Sequence, residues 1–428
     1  MFGIILGLIV LMVLAFMGWS IIWVAPIAAG VVALTGGLDL LEAYTDTYMS
    51  GFVGFAKQWF PVFMLSAIFG KLMADTKMAT SIAEGLAKLM GTKRAILGVL
   101  LAAAVLTYGG ISLFVVVFAI YPLALSLFRE ANISRKLLPA TVALGAFTFT
   151  MTALPGTPQI QNLIPIPYFQ TDAMAAPIMG IVAALIMGVG GYFYLIWRQK
   201  QLTTKGEVFV EPKDNSVVKV DDDHKPNIWL SLLPLAAVIL TLNLLKWDIV
   251  VALLAGNILI LLLNLTKFRG FVKSINEGAV SSITAIINTS AAVGFGTVVQ
   301  NVPGFERLTE LLMRIPGNPL VSEAVAVNLL AGATGSASGG MGIALEALGG
   351  KYYELSQTSG IDPEAFHRIA SLASGGLDVL PHNGAVLTVL TITGMTHKDS
   401  YKDIAVVGII IPIIATIVAI IMAAMGIY

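Results

Sequence analysis

Gly375-Gly376-Leu377-Asp378-Val379-Leu380-Pro381-His382-Asn383-Gly384 lies inside an apolar run, yet it carries an acid, a histidine, an asparagine and a proline. Unpaired backbone groups and charges find no water inside a bilayer, so such a stretch is costly there. Pro381 lacks a donor and its ring clashes with the carbonyl of Leu377, which predicts a helix ending near Val379. Asp378 then falls in the last turn of a half-helix, at the negative end of its dipole. That placement disfavours an ionised carboxylate unless a proton or a cation joins it. Asn383 is a good cap for a second half-helix, whose positive end points back into the gap. One break thus offers a cation site beside an anion site.

Composition supports a membrane setting. Of 428 residues, 57% are hydrophobic and only 12% charged, with a mean hydropathy of +0.87. Repeated apolar runs of about 18 residues or more predict an all-α polytopic protein in a lipid bilayer; the cell's inner, cytoplasmic membrane is its expected location. Lys+Arg and Asp+Glu balance at 25 each, so charge gives no reason to expect nucleic acid. The absence of cysteine excludes disulfides and thiolate metal sites. Met1-Phe2-Gly3-Ile4 has no basic n-region and reads as the start of a membrane span rather than a removed signal peptide.

The chain reads as two halves around a linker. Residues 1–198 form the first half, with a re-entrant hairpin over about 95–129 and a broken helix over about 137–170. Residues 199–226 are polar and mixed in charge, with Asp221, Asp222 and Asp223 beside Lys219 and Lys225, and read as a flexible cytoplasmic linker. Residues 227–428 repeat the plan, with a hairpin over about 319–358 and a broken helix over about 363–396. Phe69-Gly70 matches Phe295-Gly296 and Leu154-Pro155 matches Leu380-Pro381, each at a shift of 226; Gly109-Gly110 matches Gly339-Gly340 at 230. One nearly constant offset argues for duplication.

Charge bias predicts how the copies face. The basic patch Lys71, Lys77, Lys88, Lys93 and Arg94 belongs in the cytoplasm, and the acidic loop with Asp39, Glu42 and Asp46 outside. The second half reverses this: Lys267, Arg269 and Lys273 fill the loop matching the acidic one, and Arg307 and Arg314 are balanced by Glu306 and Glu310. Inverted halves need an odd number of crossings each. Five crossings and one re-entrant hairpin per half meet that condition, giving ten crossings and two hairpins.

Four polar stretches carry the chemistry: tips at Thr107–Ser112 and Gly332–Gly342, and breaks at residues 154–162 and 378–384. At the second tip, Ser336, Ser338 and the glycines Gly339 and Gly340 offer hydroxyls and close backbone amides to an anionic oxygen. Tyr108, Gly109, Gly110 and Ser112 form the first tip. Thr157, expected to cap a helix with Pro158 in its first position, joins Gln159 and Asn162 as a neutral polar lining suited to hydroxyl groups. Asp378 is the expected coupling residue, with His382 as ligand or proton relay and Asn383 beside it. No second histidine or carboxylate stands at metal-ligand spacing, and no phosphate loop is present. Broken half-helices flanking a midplane site are transporter architecture.

At these residues, Thr-Tyr-Gly-Gly-Ile-Ser, Leu-Pro-Gly-Thr-Pro-Gln-Ile-Gln-Asn, Gly-Ser-Ala-Ser-Gly-Gly and Leu-Pro-His-Asn-Gly, the chain resembles the gluconate:proton symporter family of the ion-transporter superfamily. The resemblance covers essentially the whole length and implies paired re-entrant hairpins, a transport domain moving against a dimeric scaffold, and organic-anion substrates. Tyr108-Gly109-Gly110 departs from the His/Pro-rich tip of sugar-acid carriers and is more similar to a branch associated with smaller hydroxy acids such as 3-hydroxybutyrate. The expected function is proton symport of a hydroxy monocarboxylate without a cofactor. The rival is sodium coupling, and an intramembrane enzyme using Asp378 and His382 is the alternative of a different class.

Overall fold

The computed structural model describes residues 1–212, 225–313, 315 and 318–428, apart from the side chains of 312 and 313. Lys219, Asp221, Asp222, Asp223 and Arg314 lie outside the described residues. The described elements are helices, and one order of helices occurs twice. Two apolar helices come first, Phe2–Phe16 with Ile21–Gly36, and later Ile228–Asn243 with Ile249–Leu263. A long helix follows, Met49–Asp75 or Phe268–Gln300, then a short amphipathic one, Met78–Met90 or Gly304–Met313. Next comes a tightly turned pair, Ala95–Tyr108 with Leu113–Glu130, or Pro319–Thr334 with Ala337–Ser359. An interrupted helix and a long closing helix, Pro177–Thr204 or His397–Ala424, complete each set.

Sequence chemistry sets many of the starts. Ser20, Asn227, Asp248, Asn318, Ser336, Asp362 and Asn383 each stand at a helix N-cap, their side-chain oxygens accepting from backbone N–H groups two or three residues on. Five helical stretches among the described residues are long and apolar enough to cross a bilayer: Leu40–Asp75, Leu113–Glu130, Pro177–Thr204, Leu265–Gln300 and His397–Ala424. Six further apolar helices run 10–17 residues. Met78–Met90 meets the helix after it at a bend of 103°.

The two long helices form the central pair. Gly51 faces Thr297, Ile68 faces Gly278, and Asp75 meets Ser274, so one helix climbs as the other descends along their whole length. The approach is close because small residues sit on the seam, as they do between membrane helices generally. A Cβ on Gly278 would lie 2.7 Å from the Ile68 Cα, and one on Gly294 would lie 2.8 Å from the Tyr48 carbonyl oxygen. Ile249–Leu263 is tied to the pair by Asn257, whose Nδ2 donates to the Leu65 carbonyl at 3.1 Å.

The described residues at either end of the stretch 199–226 are held by ion pairs. Arg129 donates twice to Glu211, Lys136 meets Glu207, and Lys225 meets Glu84 at 2.7 Å. The Arg129 hydrogen bonds hold the Glu211 carboxyl below the usual carboxylate range.

The seam gives a direct test. Gly278→Ala forces a methyl group against backbone and should cost about 1–3 kcal/mol. At Gly54 the space a Cβ would enter is open, with no atom within 4 Å, so Gly54→Ala should be neutral or slightly stabilising. Thermal unfolding of the two purified variants in one detergent checks the contrast.

Candidate functional site

A cavity of about 870 Å³ is lined by all four polar stretches and by one face of each long helix. From the first tip it takes Gly110 and Ser112, and from the first break Pro158, Gln159 and Gln161. From the second tip it takes Ser336 and Ser338, and from the second break Asp378, His382 and Asn383. Tyr108, Gly109, Thr157, Asn162, Gly339 and Gly340 are outside this lining and pack behind it.

Each tip is fastened to its own break by an amide side chain. Gln159 Nε2 donates to the carbonyls of Thr107 at 2.6 Å and Ile111 at 3.3 Å. Asn383 Nδ2 donates to the Gly335 carbonyl at 2.9 Å, while its Oδ1 caps the following helix by accepting from Val386 N at 2.9 Å. The tip glycines correspond as well. Gly110 turns at φ +96° against Pro158, and Gly335 turns at φ +61° against the His382 ring. These two are 335 − 110 = 225 residues apart, so Gly335 is the counterpart of Gly110. Gly340 sits instead in the second arm, where a Cβ would collide with the backbone of Ala331, and serves close packing of the arms.

The second break differs from the reading of its proline. The helix Pro363–Ser374 ends at Gly375, before Val379, and Leu377–Val379 forms a separate 3₁₀ turn. Gly375-Gly376 frees the backbone there, and Asn328 Oδ1 captures the Leu377 N–H at 2.9 Å. Asp378 therefore sits between two half-helices instead of in the last turn of one. It is 4% exposed, and its Oδ1 has no partner among the described residues. Both ring nitrogens of His382 are likewise unpartnered, and its ring lies 4.1 Å from that of Phe16.

The first break also restarts later than its Thr-Pro pair suggests. Helix resumes at Ile160 with Gln159 in the cap position and no side-chain cap. Thr157 is fully buried with an unpartnered hydroxyl, and its carbonyl accepts from Asn162. Asn162 faces away from the cavity and receives Arg368, which donates to Asn162 Oδ1 at 2.9 Å and twice to the Ala175 carbonyl. The Tyr108 hydroxyl donates to the Pro155 carbonyl at 3.0 Å.

Several residues of the site carry no motif. Glu277, Ser281, Thr284, Asn288 and Thr289 recur at helical spacing and turn one polar stripe to the cavity; that period is present in the sequence and is the signal that finds them. Lys71 lines the cavity opposite Glu277. Arg368 and Glu323 are fully buried, and both Glu323 carboxylate oxygens lack partners. No cluster of three or more potential metal ligands occurs among the described residues.

The chain is an all-helical multi-pass membrane protein with a cavity between interrupted helices, and sequence similarity gives its family. The family model for GntP family permeases matches residues 1–425. A Bacillus subtilis (strain 168) protein bearing the name uncharacterized transporter YxjC is 42% identical, over 95% of this chain and 95% of its own. A Haemophilus influenzae protein, also named an uncharacterized transporter, is 24% identical over 83% of each. The chain belongs to the GntP family of permeases. It is a transporter acting on a small substrate within a lipid bilayer, and the intramembrane-enzyme alternative falls.

Asn383 holds a cap and a tip at once. Asn383→Ala should cost about 0.5–2 kcal/mol through the cap alone. Asn383→Asp keeps the capping oxygen but loses the donor to Gly335, so its unfolding temperature should fall between wild type and alanine. Thermal unfolding in detergent measures both.

Proposed function

We propose that this permease is a secondary active symporter for small hydroxy monocarboxylates, gluconate or 3-hydroxybutyrate in class, working by an elevator-type cycle in the inner membrane. The single observation that carries the reading is the cavity wall, to which both tips and both breaks contribute, with one unpartnered acidic oxygen at Asp378. Ser336, Ser338 and Asn383 bind the carboxylate through neutral donors, and Gln159, whose two amide N–H groups are held by the first tip, accepts from the hydroxyl through Oε1. Thr157, Asn162, Tyr108, Gly109, Gly339 and Gly340 shape the stretches from behind.

Residues 1–198 and 227–428 act as inverted repeats of five crossings and one re-entrant hairpin, with 199–226 as the cytoplasmic link. The repeated helix order and the antiparallel long helices support this arrangement. The long-helix pair serves the scaffold, on which a homodimer forms; hairpins and broken helices form the moving transport domain. Asp378 takes a proton as the substrate anion enters, so the pair crosses with little net charge, and His382 relays that proton. Sodium held by Asp378 and freed carbonyls is the second reading, favoured by the backbone opened between Ser374 and Gly384.

Uptake of radiolabelled gluconate and 3-hydroxybutyrate into proteoliposomes, with proton and sodium gradients imposed separately, tests the function. Asp378→Asn should abolish proton-driven accumulation and leave part of the exchange between equal pools. Accumulation by Asp378→Asn under a pH difference would remove this residue from coupling. Ser338→Ala should weaken apparent affinity roughly threefold to tenfold, one neutral hydrogen bond. Topology has its own measurement: single cysteines in 39–50 and in 303–317 should react with an impermeant thiol reagent from one side, the outside.

A further inference from the structure

Lys71 is the only lysine or arginine on the cavity wall among the described residues, and it does not stand at the tips. It comes from the first long helix, and Glu277 faces it from the second. On that second helix the wall runs from Glu277 to Thr289, twelve residues or about 18 Å. Thr289 is the end that touches the second tip, through Ser338 at 3.3 Å. Lys71 and Glu277 therefore mark the far end of the cavity, its mouth.

The ammonium of Lys71 lies 2.9 Å from Glu277 and 3.0 Å from Asp75. Both acids keep another partner if it turns away. Lys273 stands 3.8 Å from the second oxygen of Glu277, and the Ser274 hydroxyl donates to the second oxygen of Asp75 at 2.6 Å. The Lys71 and Glu277 side chains are 31% and 46% exposed, and ion pairs that open to water are weak. A carboxylate arriving at the mouth meets one movable cation whose present partner is replaceable.

We propose that Lys71 is an anion-capture residue at the cavity mouth, exchanging Glu277 for the carboxylate of a small organic anion as it passes between solvent and the tips. Glu277 is its competitor and sets how readily the ammonium is released. This rests on the reading of the protein as an organic-anion carrier. Neutral solutes gain nothing from the ammonium, so charge selection precedes the hydrogen-bonded recognition deeper in.

The two partners must then have opposite effects. Counterflow of labelled gluconate and 3-hydroxybutyrate is measured in everted and right-side-out membrane vesicles, at low and high ionic strength, with the amount of folded carrier determined by size exclusion. Lys71→Gln should raise the half-saturation concentration about threefold to tenfold at low salt, with less effect at high salt and no change in maximal rate. Lys71→Arg should stay near wild type, and Glu277→Gln should lower half-saturation. These shifts should appear in only one vesicle orientation, the one presenting substrate to the Lys71 end. Movement of Lys71→Gln and Glu277→Gln in the same direction would make the pair a strut and overturn the proposal. Failure of wild type to exchange either anion would overturn the organic-anion reading beneath it.

Discussion

Backbone that leaves a helix inside a bilayer must find new hydrogen-bond partners within the protein. Both halves of this permease meet that demand with side-chain amides. Gln159 supplies a donor to two carbonyls of the first tip, Asn383 to one of the second, and Asn162 to carbonyls at Thr157 and Ala173. Asn328 works in the other sense, taking the Leu377 N–H. The same contacts that make the breaks tolerable fix where the tips lie, so the cavity is a by-product of satisfying unwound backbone.

Arg368 extends this logic between the halves. A fully buried guanidinium with no acid within ion-pair distance among the described residues is an uncommon solution, since desolvating a cation is expensive. Its donors go to Asn162 Oδ1 and the Ala175 carbonyl, all in the first half, although Arg368 belongs to the second. Glu364, a turn earlier on the same helix, accepts from Ala176 N and reinforces the junction. The two interrupted helices are thereby joined as one body behind the cavity.

Much of this is legible in the chain. Apolar runs, glycine-rich tips and proline-bearing breaks locate the helices, and Asn383 reads as a cap because Asn before a helix start has few other uses. Where sequence and structure part, the cause is local. Pro381 is the more conspicuous breaker, but the freedom of Gly375-Gly376 ends the helix first once Asn328 offers an acceptor from 49 residues away. Thr157-Pro158 has the form of a cap pair, but the chain reserves Gln159 for the tip carbonyls and resumes its helix afterwards. Gly339-Gly340 matches Gly109-Gly110 as letters, whereas backbone geometry pairs Gly110 with Gly335. The Lys71–Glu277 pair joins residues 277 − 71 = 206 positions apart, and no pattern within either helix announces such a partner.

The seam between the long helices carries a consequence for how the sequence can drift. Its small residues are matched to larger ones on the opposite helix: Gly51 to Thr297, Gly278 to Ile68, Gly294 to Tyr48. A Cβ on Gly51 would meet the Thr297 side chain, so enlargement there becomes acceptable once Thr297 is reduced, whereas Gly278 and Gly294 face the backbone of Ile68 and Tyr48, which no substitution removes. A change at Gly51 is therefore epistatic with one at Thr297, far away in the chain, while Gly278 and Gly294 are held small whatever side chain stands opposite.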